Sequence, residues 1–111
     1  MFKAILLSSI LLVSSAHAGL ASWYGGQFHG RQTASGERFN MNAMTCASNS
    51  HKMGTRLKVT NKANGKSVVV RVNDTGGFGK YGRTLDLSKG AFSRIANTKQ
   101  GTVNVSIKEL K

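Results

Sequence analysis

The sequence contains no proline, one cysteine and four acidic residues among 111. A single cysteine excludes an internal disulfide, so we expect Cys46 to be a small buried apolar side chain, with an intermolecular bridge or a reactive thiol as the alternative. Without proline, the 13 glycines must mark most of the turns. The one long apolar run, residues 4–13, is about half of the roughly 20 residues that a membrane-spanning helix requires. We therefore expect no membrane anchor, with an uncleaved N-terminal anchor as the alternative.

This apolar run lies between a basic residue, Lys3, and the small-residue segment Ala16-His17-Ala18. That layout is typical of a secretory signal peptide. We expect residues 1–18 to be removed and residues 19–111 to form one domain, a monomer that is periplasmic or secreted. No cysteine follows the predicted cleavage site, so lipidation is not expected.

The charge is strongly unbalanced, with 16 lysines and arginines giving a net charge of +12 at pH 7. Removal of Lys3 with the signal peptide would lower this to +11. Such an excess favours polyanionic partners, which for an exported protein are cell-wall polymers, anionic lipid surfaces or released DNA. Because the basic residues are scattered singly along the chain, they resemble a solvated surface, and no specific nucleic-acid partner is expected.

Short alternating runs indicate a mainly β protein. The clearest hairpin signal is Asn64-Gly65, which separates two alternating segments. One short helix is expected after Ser88, which can serve as its N-cap, with Ala91, Phe92, Ile95 and Ala96 on its buried face. This combination predicts a small barrel or sandwich. The predicted strands are residues 20–24, 56–61, 67–73, 84–87 and 102–110.

Asp74 ends the valine-rich run in which Val68, Val70 and Val72 share one face. Continued alternation would place Asp74 at the end of this apolar row, where partial desolvation favours the neutral carboxyl group that a general acid needs. Asp74 also begins an Asp-Thr-Gly-Gly turn, which its side chain can stabilise. On spacing alone, the turn is the better explanation.

Two further acids are candidates. Glu37 follows a Ser-Gly turn, and by itself it is a surface charge or a partner for an arginine; together with Asp74 it would supply the two carboxylates that glycosidic cleavage commonly uses. Asp86 lies between Leu85 and Leu87, so it should point away from the face that they bury. It is expected to cap the following helix or to pair with Arg71 or Arg83.

The aromatic pair Trp23-Tyr24 closes the first predicted strand, where neighbouring side chains point to opposite faces. One ring should therefore face the core, and the other is available to stack on a sugar. His29 and His51 could carry protons near neutral pH, although they are more simply loop residues. Their spacing matches no metal motif, so no metal or organic cofactor is expected.

Taken together, three stretches resemble the rare lipoprotein A (RlpA)-like double-psi β-barrel family, of the septal ring lytic transglycosylase type. They are "GLASWYGGQFHGRQTASGERFNMNAMTCA", "GTRLKVTNKANGKSVVVRVNDTGGF" and "GRTLDLSKGAFSRI". The resemblance implies a six-stranded double-psi β-barrel with one or two short helices. It also implies cleavage of peptidoglycan glycan strands between N-acetylmuramic acid and N-acetylglucosamine, with a 1,6-anhydro product.

The resemblance assigns roles to individual residues. Asp74 would be the principal acid and base, and Glu37 would position or stabilise the sugar. Ser48 occupies a position where the family often has a histidine, and His51 follows three residues later. Because a fold does not fix a function, the alternative is a non-catalytic, expansin-like module that binds or loosens the wall. The expected substrate-binding residues are Trp23, Tyr24, His29, Ser48, His51, Arg71 and Asp86.

Overall fold

The computed structural model describes residues 16–110, apart from the side chains of residues 80 and 81. It confirms a mainly β fold with one short α-helix, α1 (Lys89–Ile95). The strands are β1 (His17–Tyr24), β2 (Thr45–Ser48), β3 (Arg56–Asn61), β4 (Ser67–Asp74), β5 (Leu85–Ser88) and β6 (Thr102–Leu110).

These six strands form a closed barrel in the order β1-β5-β2-β4-β3-β6. The pairs β1/β5 and β2/β4 are parallel, and the other four pairs are antiparallel. Within residues 16–110, no helix has the length and apolar character needed to cross a bilayer. The predicted cleavage site after Ala18 falls inside β1, and residues 1–15 lie outside the described part, so the signal peptide stays a prediction.

The alternation in the sequence locates five of the six strands. The bounds of β3 and β6 are those predicted, and the others differ by one to three residues. The strand that alternation did not reveal is β2, in which all four residues are buried. A strand covered on both faces has no polar side to alternate with its apolar side.

The hairpin between β3 and β4 is confirmed, but its loop is longer than a two-residue turn. Thr60 pairs with Ser67, and Asn61 N–H donates to the Lys66 carbonyl at 2.8 Å, so residues 62–66 form the loop. Gly65 has a φ of +76°, a conformation that glycine adopts without strain.

The core fills the barrel and extends to α1. Cys46 belongs to it, and burial raises the pKa of its thiol to about 12, which keeps it protonated and unreactive. The prediction of a small buried apolar cysteine is therefore confirmed. The largest fully buried side chains are Phe92, Leu57, Leu85, Leu87, Ile95, Ile107, Val59, Val70, Val72 and Val105.

Helix α1 begins as predicted, with Ser88 Oγ accepting from Ala91 N at 3.1 Å. Its second residue, Gly90, lies against the chain at Met41 and Asn42: Gly90 N–H donates to the Met41 carbonyl at 2.8 Å. A Cβ atom at Gly90 would lie 2.9 Å from the Asn42 carbonyl oxygen and 3.0 Å from its Cα. The weak helix former is therefore required by this close approach.

We expect Gly90→Ala to lower the free energy of unfolding by about 1–3 kcal/mol, because backbone atoms of Asn42 must move to admit the methyl group. Helix propensity alone predicts a gain of about 1 kcal/mol. Urea denaturation measures the difference. The control is Ser93→Ala at an exposed position of the same helix, which should stay within about 0.5 kcal/mol of wild type. A Gly90→Ala protein as stable as wild type would contradict the packing argument.

Candidate active site

Two acidic side chains lie in one row across four strands. Ser22 on β1 is opposite Asp86 on β5, Asp86 is opposite Ala47 on β2, and Ala47 is opposite Asp74 on β4. Residues opposite one another on neighbouring strands share a face of the sheet. Because neighbouring strands are about 4.8 Å apart, the Cα atoms of Asp74 and Asp86 are roughly 10 Å apart, with the small Ala47 between them.

A bulge in β4 brings Asp74 into this row. Cys46 pairs with Val72, but the next residue, Ala47, pairs with Asp74, so Asn73 is an extra residue. An extra residue shifts the alternation by one and turns the following side chain to the other face. The predicted place of Asp74 at the end of the buried valine row is therefore wrong. Its side chain shares the outer face with Ala47 instead.

Three neutral donors hold the carboxylate of Asp74. Oδ1 accepts from Thr75 N at 2.9 Å and from Ala34 N at 2.9 Å. Oδ2 accepts from the Tyr24 hydroxyl at 3.3 Å. The bond from Thr75 is the contact by which Asp74 was predicted to stabilise its own turn. The other two bonds come from segments that are distant in sequence. Asp74 thus does more than stabilise its own turn, since it joins β1, β4 and the loop that carries Ala34.

Tyr24 donates a hydrogen bond to Asp74 from a neutral hydroxyl. Burial raises the pKa of the Tyr24 phenol, and the negative charge of Asp74 raises it further, so the hydroxyl stays protonated. Its ring stacks on Phe39 with centroids 4.3 Å apart and meets Phe28 edge-on at 5.8 Å. This aromatic cluster supports the loops beside Asp74.

Glu37 is bound to an arginine, one of the two roles that the sequence suggests for it alone. Arg71 Nη1 and Nη2 donate to its two carboxylate oxygens at 2.8 and 3.1 Å, and Asn73 Nδ2 donates to Oε1 at 2.8 Å. The hydrogen bond from Arg71, followed by that from Asn73, holds the pKa of Glu37 below its usual range. Glu37 is therefore ionised at neutral pH and has no proton to donate.

The bulge also positions the loop that carries Glu37. Ser35 N donates to the backbone carbonyl of Asn73 at 3.2 Å, and Thr33 N donates to the Glu37 carbonyl at 2.9 Å. Gly36 closes this turn with a φ of +96°. One extra residue in β4 thus contacts Glu37 through its side chain and the turn through its backbone.

Asp86 lies in a half-buried polar cluster. Its Oδ1 accepts from Ser22 Oγ at 2.9 Å, and Ser22 Oγ accepts from Arg83 Nη1 at 3.1 Å. Burial raises the pKa of Asp86, the charge of Asp74 acts in the same direction, and Ser22 and Arg83 oppose the rise. Of its predicted partners, Arg71 binds Glu37 instead, Arg83 is the nearby cation, and Ser88 takes the helix-capping role.

A groove of about 330 Å³ runs beside the row. Asn49 holds Gly76 of the lining in place by bonding both of its backbone groups, at 2.6 and 3.2 Å. A larger cavity of about 490 Å³, around residues 61–63 and 100–104, has no acidic residue in its lining. The groove is lined by Tyr24, Phe28, Ala47, Thr75, Gly76, Gly77, Phe78, Arg83 and Asp86.

Trp23 and Tyr24 point to opposite faces of β1, as expected. The Trp23 ring packs near Phe92, with centroids 6.5 Å apart, and its indole N–H donates to the Thr98 carbonyl at 2.9 Å. Tyr24 lines the groove. Trp23 borders a separate hollow formed with residues 24–28.

The remaining predicted contacts lie outside the groove lining. His29 Nδ1 accepts from Met41 N at 3.2 Å in an exposed loop. Ser48 is buried, and its hydroxyl bonds His51 Nδ1 at 3.1 Å. The His51 ring also stacks on His17. Roles for His29, Ser48 and His51 in substrate binding stay predictions.

Sequence reasoning missed two residues that build the site, Ser22 and Asn73, and named Arg83 as one of two arginines that could pair with Asp86. Alternation on β1 puts Ser22 on the face opposite Ala21, just as it puts Asp86 opposite the leucines. Alternation therefore gives the face of each side chain on its own strand. Nothing in the sequence gives the register that places Ser22 opposite Asp86. No sequence signal marks Asn73 as a bulge.

A family model described as "Lytic transglycolase" matches residues 16–107. The chain belongs to this family. It is 56% identical over 89 residues to a probable endolytic peptidoglycan transglycosylase RlpA of Synechocystis, covering 80% of this chain and 27% of that protein. It is 49% identical over 92 residues to the endolytic peptidoglycan transglycosylase RlpA of Neisseria meningitidis, covering 83% and 38% respectively. The chain thus spans well under half the length of these relatives.

Solved structures agree on the fold. The Streptomyces papain inhibitor superposes with a TM-score of 0.70 at 22% identity, over 90% of this chain and 98% of the inhibitor. A Clavibacter michiganensis expansin variant in complex with cellohexaose gives a TM-score of 0.68 at 24% identity, over 89% and 51%. At these identities the likeness shows the double-psi barrel alone.

Because the pKa of Asp86 is raised, replacing this residue by a neutral one should increase the stability of the fold by an amount that depends on pH. Ionising this group costs stability as pH rises through its folded-state pKa, and the cost is absent below the unfolded value near 4. Asp86→Asn should therefore raise the melting temperature at pH 7 by roughly 2–5 °C, with the gain shrinking towards pH 3.5. Calorimetry at both pH values measures this. A gain independent of pH would contradict it.

Glu37→Gln should lower the stability of the fold, whereas Asp86→Asn should raise it. Its lowered pKa means that the bond to Arg71 stabilises the fold above the unfolded pKa and is lost as pH falls through the folded one. Because the pair is largely exposed, the loss at pH 7 should be no more than about 1 kcal/mol. The same calorimetric series checks it, and equal melting temperatures at pH 7 would contradict a stabilising pair.

Proposed function

We propose that this chain is an exported lytic transglycosylase that cleaves the glycan strands of peptidoglycan, with Asp74 as its acid and base. Family membership and the names of its relatives support the reaction class. The observation that carries the assignment is the position of Asp74: an outward-facing carboxyl group that is bonded to Tyr24 and Thr75, both of which line the groove, and whose hydrogen-bond donors are neutral. The proposed location is the periplasm or the exterior.

The reaction begins with Asp74 protonated. Its proton passes to the oxygen that joins N-acetylmuramic acid to N-acetylglucosamine, and the bond from C1 to that oxygen breaks. The C6 hydroxyl of the same muramic acid residue then attacks C1 and returns its proton to Asp74. The ring closes to a 1,6-anhydro sugar, no water is consumed, and Asp74 regains its starting state.

The neighbouring groups suit the charges that develop. The ionised Glu37 can stabilise the positive charge at C1 of the sugar, as the second carboxylate of a glycoside-cleaving pair does. The donors from Tyr24 and Ala34 stabilise the carboxylate left on Asp74 after its proton departs. Asp86 shares the row, and burial, followed by the charge of Asp74, raises its pKa.

Asp74→Asn should lower the release of 1,6-anhydro products by about 10²–10⁴-fold, because an amide can neither donate nor recover the proton. Mass spectrometry of soluble fragments from purified sacculi measures the products. The matched control is Glu109→Gln, which removes an acid that contacts His51 outside the groove lining and should leave product release unchanged. Undiminished products from Asp74→Asn, or none from wild type, would overturn the proposal.

A non-catalytic wall-binding module is the second candidate, favoured by the net charge of +12. It predicts that the protein pellets with insoluble peptidoglycan without releasing soluble fragments, equally in wild type and Asp74→Asn. Sedimentation followed by analysis of the supernatant therefore separates the two functions.

A further inference from the structure

The outer face of β3, β4 and β6 carries basic side chains directly opposite one another. Arg56 on β3 is opposite Arg71 on β4, and Lys58 on β3 is opposite Lys108 on β6. All four residues are exposed. We call these four residues the cationic sheet face. Like charges directly opposite on neighbouring strands destabilise a sheet, so this arrangement is one that folding alone disfavours.

In the described part of the chain, one acid, Glu37, pairs with a residue of the cationic sheet face. Of the four acids, Asp74 and Asp86 lie in the row beside the groove, and Glu109 is 3.9 Å from His51. Glu37 binds Arg71. Within residues 16–110, the recorded ion pairs leave Arg56, Lys58 and Lys108 without a carboxylate within 4 Å. An external anion would relieve the repulsion among them.

The cationic sheet face is continuous with the proposed active site. Arg71 belongs to both, since its guanidinium binds Glu37 while its strand neighbour is Arg56. Lys58 lies two residues further along β3, about 7 Å from Arg56. Val69, opposite Lys58, leaves 42% of its surface exposed and offers an apolar contact between the cations. A polymer that passes over Glu37 would therefore reach this face.

We infer that the cationic sheet face binds carboxylates of the same glycan strand that occupies the groove, and so selects strands that carry negative charge. This inference rests on the proposed function only in naming the polymer. Within the described residues the face carries no aromatic side chain, which is the feature that single-stranded nucleic acids use for stacking. Muramic acid provides the required chemistry, through its lactyl carboxylate or the carboxylates of an attached peptide.

The test compares two double variants of equal charge in the full chain, each also carrying Asp74→Asn to keep the polymer intact. Lys58→Gln/Lys108→Gln alters the face, and Arg94→Gln/Lys99→Gln removes two exposed charges from α1 and the short turn after it. Binding to insoluble sacculi is measured by sedimentation at low salt. We expect the first variant to bind on the order of five- to tenfold more weakly, and the second to bind like its parent.

Sacculi whose carboxylates have been amidated with carbodiimide and ammonia serve as the neutral polymer. On this material, and on native sacculi at about 0.5 M salt, the difference between the two variants should disappear. The lactyl carboxylate is free only where its peptide has been removed, so sacculi stripped of peptides identify the source: a difference that grows on stripped sacculi assigns the lactyl carboxylate, and a difference that shrinks or vanishes assigns the peptides. Both outcomes support carboxylate recognition.

Equal weakening by the two double variants would overturn the inference in favour of non-specific attraction, as would a difference that survives amidation. A difference seen with anionic phospholipid vesicles but not with sacculi would overturn it in favour of a membrane surface. Because Lys58→Gln/Lys108→Gln removes a repulsive pair, its melting temperature should equal or exceed that of the parent. The readout is binding, so it stands whether or not Asp74 proves to be the catalytic acid.

Discussion

The single extra residue at Asn73 is the constraint on which the site depends. Without it, alternation along β4 would direct residue 74 into the apolar interior with Val72, and the outer row would have one acid rather than two. Asn73 itself is buried, yet its side chain binds Glu37 and its carbonyl binds Ser35. A local irregularity of the ladder therefore sets the positions of both predicted catalytic carboxylates, which is a recognised use of bulges near active sites.

Two of the four acidic residues, Glu37 and Asp86, have contrasting electrostatic settings. Glu37 faces a guanidinium, which keeps it ionised. Asp86 is desolvated beside Ser22, and its pKa moves upward despite the nearby Arg83. The pKa values of two carboxylic acids of similar intrinsic acidity are thus shifted in opposite directions by their surroundings.

Much of the fold could be predicted from local patterns. Alternation gave β3 and β6 their bounds, and the hydroxyl of Ser88 marked the start of α1, because these features depend on residues near one another in sequence. Strand β2 was not predicted, because a strand that is buried on both faces shows no alternation of polar and apolar residues. The three stretches that resemble the family supplied the sixth strand and the closed barrel, which periodicity alone did not.

The site was less predictable, because the register between paired strands determines which of its residues lie opposite one another. That Asp86 points outward follows from its neighbours, Leu85 and Leu87, but its alignment with Asp74 depends on two strand pairings that bring together residues 12 positions apart through a third strand. The prediction for Asp74 failed on the assumption of unbroken alternation, and Asn73 carries no composition signal of a bulge. The sequence suggested an arginine partner for Glu37 without saying which one, and the structure shows that it is Arg71.

The partners of the two carboxylates decide which is better suited to hold a proton. Protonating Glu37 would break a bidentate, charge-assisted bond to Arg71, the stronger class of hydrogen bond. Protonating Asp74 would weaken only bonds from two backbone amides and the Tyr24 phenol, all neutral donors. The phenol can rotate its hydrogen away, and the remaining oxygen of Asp74 still accepts from the backbone. The bonds from Arg71 and Asn73 therefore hold Glu37 as a fixed negative charge, which is why we assign that role to the loop and the acid to Asp74 at the strand end.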